Sequence, residues 1–463
     1  MKTIFFFCIP AHGHTNPMLP VAKELVQRGN AVQFYSFDEF REKIEQTGAT
    51  FIPCDSYLLQ PDKQAEQKLK AVSTTEMTVQ AIAITRNMDS FLEGEFKTYQ
   101  PDVIYSDSVC FWGKLNALKH KVPLVVSTST FAFNQLSSQY MKHSKRELAD
   151  MIFGLPRVAK ELKSLEPYGY HITNPLSLVQ SDNHTDSVVY TSRRFQPYGE
   201  SFSDHYAFVG PSVDSRLAPD KEKDRPLVYI SLGTVINDRP DFYKKCIEAL
   251  GHQNMDVVIS CGNAVKRETL GTLPENIQVF SYVNQLEILA KADAFLSHCG
   301  MNSVSESLYM ATPLVLYPQT AEQKAVARRV TEIGAGKMLS DDSAEGIRLA
   351  VLELLENPVY KDGAESCSKD FRNCSGVWGA AEFIENVPHT SEDTDILEVL
   401  NRFCNRFQLF YWIFVIVIIN LIGFFVSWKF VWVIGILAGL FSAPIGRLMQ
   451  NVKYQSLIKR KQN

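Results

Sequence analysis

Two successive series of short apolar segments, each alternating with helix-length amphipathic segments, constrain this chain more than any other feature. In the first series, residues 3–9 read as a strand, and a helix opens at Asn16-Pro17 with Leu19, Ala22, Leu25 and Val26 as its apolar stripe. Strands follow at 31–36, after Pro101, and from Val122 to Ser127. The second series has strands at 227–232, 256–260, 277–280, 293–297 and 314–317, with helices near 240–250, 285–291, from Asn302, and from Glu322 to Ile333. Strand–helix alternation of this kind builds parallel, doubly wound sheets. Residues 211–226 are polar and punctuated by proline, as a linker is. The expected fold class is therefore α/β: two facing doubly wound Rossmann-like domains, 1–210 and 227–390, with ligands at the carboxyl ends of the strands.

Length supports this, because 463 residues suffice for two domains and an appendage. From Arg402 onward there are eight Lys/Arg and no Asp or Glu, which leaves the body of the chain acidic. An acidic body argues against nucleic acid as a partner. The nine cysteines include no C-x-x-C pair and read as reduced thiols. After a linker at 391–408, residues 409–428 and 430–446 are uncharged and apolar around Lys429. A bilayer core takes roughly 20 apolar residues per helix. The expectation is a transmembrane helical hairpin at 409–446, turning near Ser427-Trp428-Lys429. The basic tail 447–463 and the catalytic domains then lie on the cytoplasmic side.

The most informative stretch runs Phe295-Leu296-Ser297-His298-Cys299-Gly300-Met301-Asn302-Ser303-Val304-Ser305-Glu306. It reads as a strand, a tight turn and a helix start, where free N–H groups and the helix dipole hold an anion such as a diphosphate. His298, Asn302 and Ser303 add side-chain donors. Glu306 lies one turn beyond Asn302 on the same face and suits a ribose diol. Taken singly, Asn302 is also a plausible N-cap and His298 a structural loop histidine.

A second polar turn, Pro10-Ala11-His12-Gly13-His14-Thr15-Asn16-Pro17, follows the first strand. Attack by a hydroxyl needs a base, and imidazole titrates in the right range. A carboxylate on its other nitrogen orients it and stabilises the imidazolium. Asp107 ends a strand that belongs on the same sheet edge. From the residues alone, His12 and His14 both remain candidates.

The stretch from Phe295 through His298, Gly300, Ser303, Glu306 and Pro313 resembles the nucleotide-sugar signature of the UDP-glycosyltransferase family, whose bacterial members include macrolide and flavonoid glycosyltransferases. The likeness extends over nearly all of residues 1–390. It implies the GT-B fold, a base at His14 and an orienting acid at Asp107. Tyr282-Val283-Asn284-Gln285 resembles the family's uracil loop, with Val283 and Gln285 reading the base. Gly233 and Thr234 resemble the loop facing the diphosphate, and Gln319, Glu322 and Gln323 occupy positions that bind sugar hydroxyls. The resemblance implies no metal and no cofactor beyond the UDP-sugar donor. It implies an inverting transfer of a hexose, glucose foremost, to a hydroxyl of a lipophilic small-molecule acceptor. Phe131, Phe133 and Met141 are candidates to line the acceptor pocket. A glycolipid synthase acting on diacylglycerol or a polyprenyl carrier, and a non-catalytic membrane-anchored binding protein, are the competing readings. No G-x-G-x-x-G follows either first strand, which disfavours a nicotinamide enzyme.

Overall fold

The computed structural model describes residues 1–58, 73–142, 144–172, 184–214, 216–234, 236–389, 396–425 and 431–462. It contains two parallel sheets. Strands β1 (Thr3–Phe7), β2 (Ala31–Ser36), β3 (Thr50–Pro53), β4 (Val103–Asp107), β5 (Leu124–Thr128), β6 (Ser187–Val189) and β7 (Tyr206–Phe208) form the first, in the order β3-β2-β1-β4-β5-β6-β7. Strands β8 (Leu227–Ser231), β9 (Asp256–Ser260), β10 (Ile277–Phe280), β11 (Ala294–Ser297), β12 (Leu314–Leu316) and β13 (Gly336–Met338) form the second, in the order β10-β9-β8-β11-β12-β13. Each order reverses direction at its first strand, and there the loops at the carboxyl ends part to leave a crevice.

Burial explains the composition of the strands. Phe5, Phe6 and Phe7 are all fully buried, as a central parallel strand covered on both faces requires. In the second lobe Val228, Ile230, Leu296 and Val315 occupy the same position in a separate core. A third cluster joins Phe131 and Phe195 of the first lobe to Tyr229, Phe295 and Val304 of the second.

Chain connectivity departs from the simple alternation in one place. The helix Gly376–Glu385 returns to the first lobe, where Ala380, Ala381 and Ile384 enter its core. Glu385 fixes it there, accepting from Arg28 at 2.9 Å and from Asn30 at 2.7 Å.

Both sheets and this returning helix lie in one compact unit, residues 1–197 and 206–389. The second unit comprises residues 198–205 and 390–463. Within it, the helices Ile396–Phe425 and Val431–Gln462 are linked by Tyr411, which donates to the Ala438 carbonyl at 2.9 Å. Tyr198 packs on Tyr454 with ring centres 5.3 Å apart.

The expected transmembrane hairpin is corrected here: among the described residues, no helix is long and apolar enough to cross a membrane. Each helix shares its apolar run with a charged part. Glu398, Arg402 and Arg406 lie in the first helix; Arg447, Lys453 and Lys459 lie in the second. Anchoring through this hairpin therefore has no support. The turn expected at Ser427-Trp428-Lys429 lies outside the described residues.

Candidate active site

The first helix begins at His12, four residues earlier than the Asn16-Pro17 signal predicts. Ala11 is the N-cap in extended conformation, and the His14 and Thr15 N–H groups donate to its carbonyl at 3.0 and 2.9 Å. His14 therefore sits on the first turn of a helix rather than in a loop. Its Nδ1 lies 2.7 Å from Asp107 Oδ2, at the carboxyl end of β4. Asp107 is fully buried and its Oδ1 accepts from the Val109 N–H at 3.0 Å. Ser129, just past β5, places its Oγ 3.2 Å from the same His14 nitrogen. With Nδ1 committed to Asp107, the lone pair is left on Nε2.

Burial disfavours the His14 imidazolium, but the charge and hydrogen bond of Asp107, with the charge of Glu322, outweigh burial and raise the pKa above the ordinary imidazole value. Glu322 is exposed, on the helix Ala321–Glu332 of the second lobe. The rival His12 is engaged elsewhere. Its Nε2 lies 2.8 Å from Glu39, and its ring packs edge-on to Phe40 at 4.9 Å.

In the second lobe, Gly300 is the N-cap of the helix Met301–Tyr309, which has no side-chain cap and no acid in its first turn. Its leading N–H groups therefore have neither a side-chain cap nor a first-turn carboxylate on them, the arrangement that suits an anion. Cys299, immediately before, adopts the left-handed conformation at φ 67°. The His298 ring lies between Gly233 and Gly300. A Cβ at either glycine would approach the ring to 2.5 Å, and Gly233 has φ +77° as well. Burial pushes the His298 pKa down to about 4, so at neutral pH it donates as a neutral imidazole and carries no charge. Its Nδ1 is buried with no hydrogen-bond partner among the described residues.

Gln285, which opens the helix Gln285–Lys291, donates to Glu306 Oε2 at 2.6 Å and to Ser303 Oγ at 3.3 Å. Tyr229 in β8 donates to the side-chain amide oxygen of Gln285, Oε1, at 3.3 Å. Burial pushes the Glu306 carboxyl up to about 7, against the pull of the Gln285 amide. Val283 is half-buried beside Tyr282, which is 82% exposed. Thr234 is exposed next to Gly233.

The residues expected around the sugar differ in availability. Gln323 completes a capping box with Thr320, and its Oε1 accepts from the Gln319 and Thr320 N–H groups at 2.8 and 3.1 Å. Gln319 accepts from Arg239 at 3.3 Å and donates to the Ile236 carbonyl at 3.2 Å. Asn302 turns from the helix end toward the first lobe and donates to the Gly13 carbonyl at 2.9 Å.

Three contributors escape the sequence reading: Ser129, Arg239 and the charge of Glu322 on His14. Ser129 alone left a signal, since it follows a strand adjacent to β4. Of the acceptor-pocket candidates, Phe131 is buried and packs against Phe195 with ring centres 5.7 Å apart, a core role. Phe133 is partly buried against the same cluster, and Met141 is half-buried. More apolar surface is offered by the helix Lys145–Lys163, where Met151, Ile152, Phe153 and Leu155 are exposed.

Two parallel α/β lobes, one with an open helix N-terminus and the other with a carboxylate-backed histidine, have the architecture of a nucleotide-sugar transferase. Residues 244–373 match the model of the C-terminal domain of erythromycin biosynthesis protein CIII-like proteins. The NDP-glycosyltransferase YjiC of Bacillus licheniformis is 34% identical over 402 residues, 83% of this chain and 97% of that protein. The demethyllactenocin mycarosyltransferase of Streptomyces fradiae is 28% identical over 84% of this chain and 87% of its own length. Among solved structures, the glycotransferase of kitacinnamycin is 25% identical, with a TM-score of 0.70 over 83% of this chain and 98% of that one. The chain belongs to the family-1 glycosyltransferases, and its two α/β lobes have the GT-B fold of that family.

Proposed function

We propose that this glycosyltransferase moves a hexose, glucose foremost, from a UDP-sugar to a hydroxyl group of a lipophilic small molecule, inverting the anomeric configuration. The observation that carries this reading is the His14–Asp107 pair, with Nδ1 held at 2.7 Å and Nε2 left to accept a proton. In the proposed step the acceptor oxygen attacks the anomeric carbon and its proton passes to His14 Nε2. The bond from that carbon to the diphosphate breaks, and UDP leaves with the electron pair. Asp107 stabilises the resulting imidazolium without taking its proton.

On the donor side, the first-turn N–H groups of Met301–Tyr309, Ser303 and neutral His298 take up the diphosphate charge. In this reading the helix end fills the place a metal ion takes in other transferases. Glu306 and Gln285 receive the ribose and uracil, with Val283 beside them and exposed Tyr282 offering a ring face. Gly233 lets the backbone approach the phosphates, and Thr234 lies next to it. Glu322 and Gln319 face the sugar hydroxyls, while Gln323 holds their helix end in place. The exposed apolar side chains of Lys145–Lys163 favour a lipophilic acceptor.

The test is a matrix of UDP-sugars against phenols, macrolides and extracted lipids, read by mass spectrometry. Transfer from UDP-glucose to a soluble hydroxylated acceptor is expected. Transfer only to extracted lipids, or only from another nucleotide sugar, overturns the corresponding part of the reading. Failure of the whole panel, with no UDP released, overturns all of it.

A further inference from the structure

We infer that Asn302 is a positioning residue for the base, working through a carbonyl that Pro17 leaves free. The inference rests on the assignment of His14 as the base. In an α-helix the carbonyl of residue 13 accepts from the N–H of residue 17. Here residue 17 is proline, inside the helix His12–Gln27, and has no N–H to give. The helix ladder therefore leaves the Gly13 carbonyl without its donor. Asn302 Nδ2, from the opposite lobe, supplies one at 2.9 Å.

The positions of the two partners give the contact its meaning. Gly13 immediately precedes His14 on the first turn of that helix and is exposed. A Cβ at Gly13 would meet nothing within 4 Å, so the space above it is open. Asn302 is the second residue of the helix Met301–Tyr309, whose N-terminus is the proposed diphosphate site. One hydrogen bond thus joins the backbone carrying the base to the helix end that holds the donor. It forms only when the lobes are together, and it fixes the first turn from which His14 projects. The amide does this in place of contacting phosphate. Pro17 is buried, and the Ser212 hydroxyl of the linker donates to its carbonyl at 2.9 Å, which holds that part of the helix to the segment between lobes.

Steady-state kinetics on the full chain tests this with Asn302→Ala, Pro17→Ala and the double variant, each checked for folding by thermal unfolding. Asn302→Ala is expected to lower kcat roughly tenfold or more while the donor KM moves less than about threefold, the signature of lost alignment. Pro17→Ala returns an N–H to Gly13 and competes with Asn302, so kcat falls in the same direction. In that background the Asn302→Ala change has little further effect. A raised donor KM with unchanged kcat makes Asn302 a donor ligand and overturns the inference, as do fully additive effects. His14→Ala is measured alongside. Normal turnover there defeats the base assignment itself. An inactive His14→Ala with additive or KM-only effects elsewhere defeats the positioning role alone.

Discussion

Gln285 Nε2 donates to Glu306 Oε2 at 2.6 Å, which joins the two residues proposed to receive base and ribose directly to each other. Burial holds the Glu306 carboxyl near 7, while the Gln285 amide favours its ionised form. A ribose diol donates hydrogen bonds, and the carboxylate is the form that accepts them on both oxygens.

Donor binding is therefore expected to weaken as pH falls through about 7, the Glu306 value. Below that pH the donor Kd rises by up to about tenfold per unit, since the carboxylate fraction falls by that factor. Glu306→Gln should weaken binding and flatten the dependence. Calorimetric titration with UDP from pH 5.5 to 8.5 checks both, and an unchanged slope in Glu306→Gln would disprove the assignment.

Turnover is expected to rise with pH through the His14 titration. His14 is a base only when neutral, and Asp107 and Glu322 hold its pKa above the ordinary value. At saturating donor, the acid limb of kcat should thus have its midpoint above about 6.5, the unperturbed imidazole value. Asp107→Asn removes the charge, moves that midpoint down and lowers kcat by roughly 10²–10⁴-fold. A midpoint that stays in place contradicts the pairing.

Gly233→Ala tests the close packing around His298. The new Cβ would meet the imidazole at 2.5 Å, at a φ of +77° that side chains rarely adopt. A loss of about 1–2 kcal/mol in stability is expected from the backbone alone. The displaced ring should also raise the donor KM, by roughly tenfold for one lost hydrogen bond. Thermal unfolding and donor titration read the two effects separately. Because burial holds His298 near 4, its titration should add no limb to the pH profile between 6 and 8.

Glu385→Ala removes the acceptor that holds the returning helix Gly376–Glu385 to Arg28 and Asn30. Hydrogen bonds to a charged group contribute about 1.5–3 kcal/mol, so the unfolding transition should move to lower denaturant with an unchanged slope. Donor affinity should be unaffected, as Glu385 is remote from the helix Met301–Tyr309 in sequence and packs on the first lobe. A loss of donor binding without loss of stability would refute this purely structural role.

Sequence alone determined the alternation of strands and helices, because apolar periodicity is a local property of the chain. It also marked the helix start after Gly300, which the structure has at Met301. The helices at 285–291 and 240–250 agree with the structure residue for residue. Tertiary structure decided what periodicity cannot carry. The start of the first helix at His12 was hidden by Pro17, a residue that usually opens helices and here lies within one. Pairing of His14 with Asp107 and Ser129, and of Asn302 with Gly13, joins residues far apart in the chain, and only packing brings them together. The tail shows the same limit from the other side. Its apolarity reads as a membrane span, but among the described residues no helix is long and apolar enough to cross a membrane.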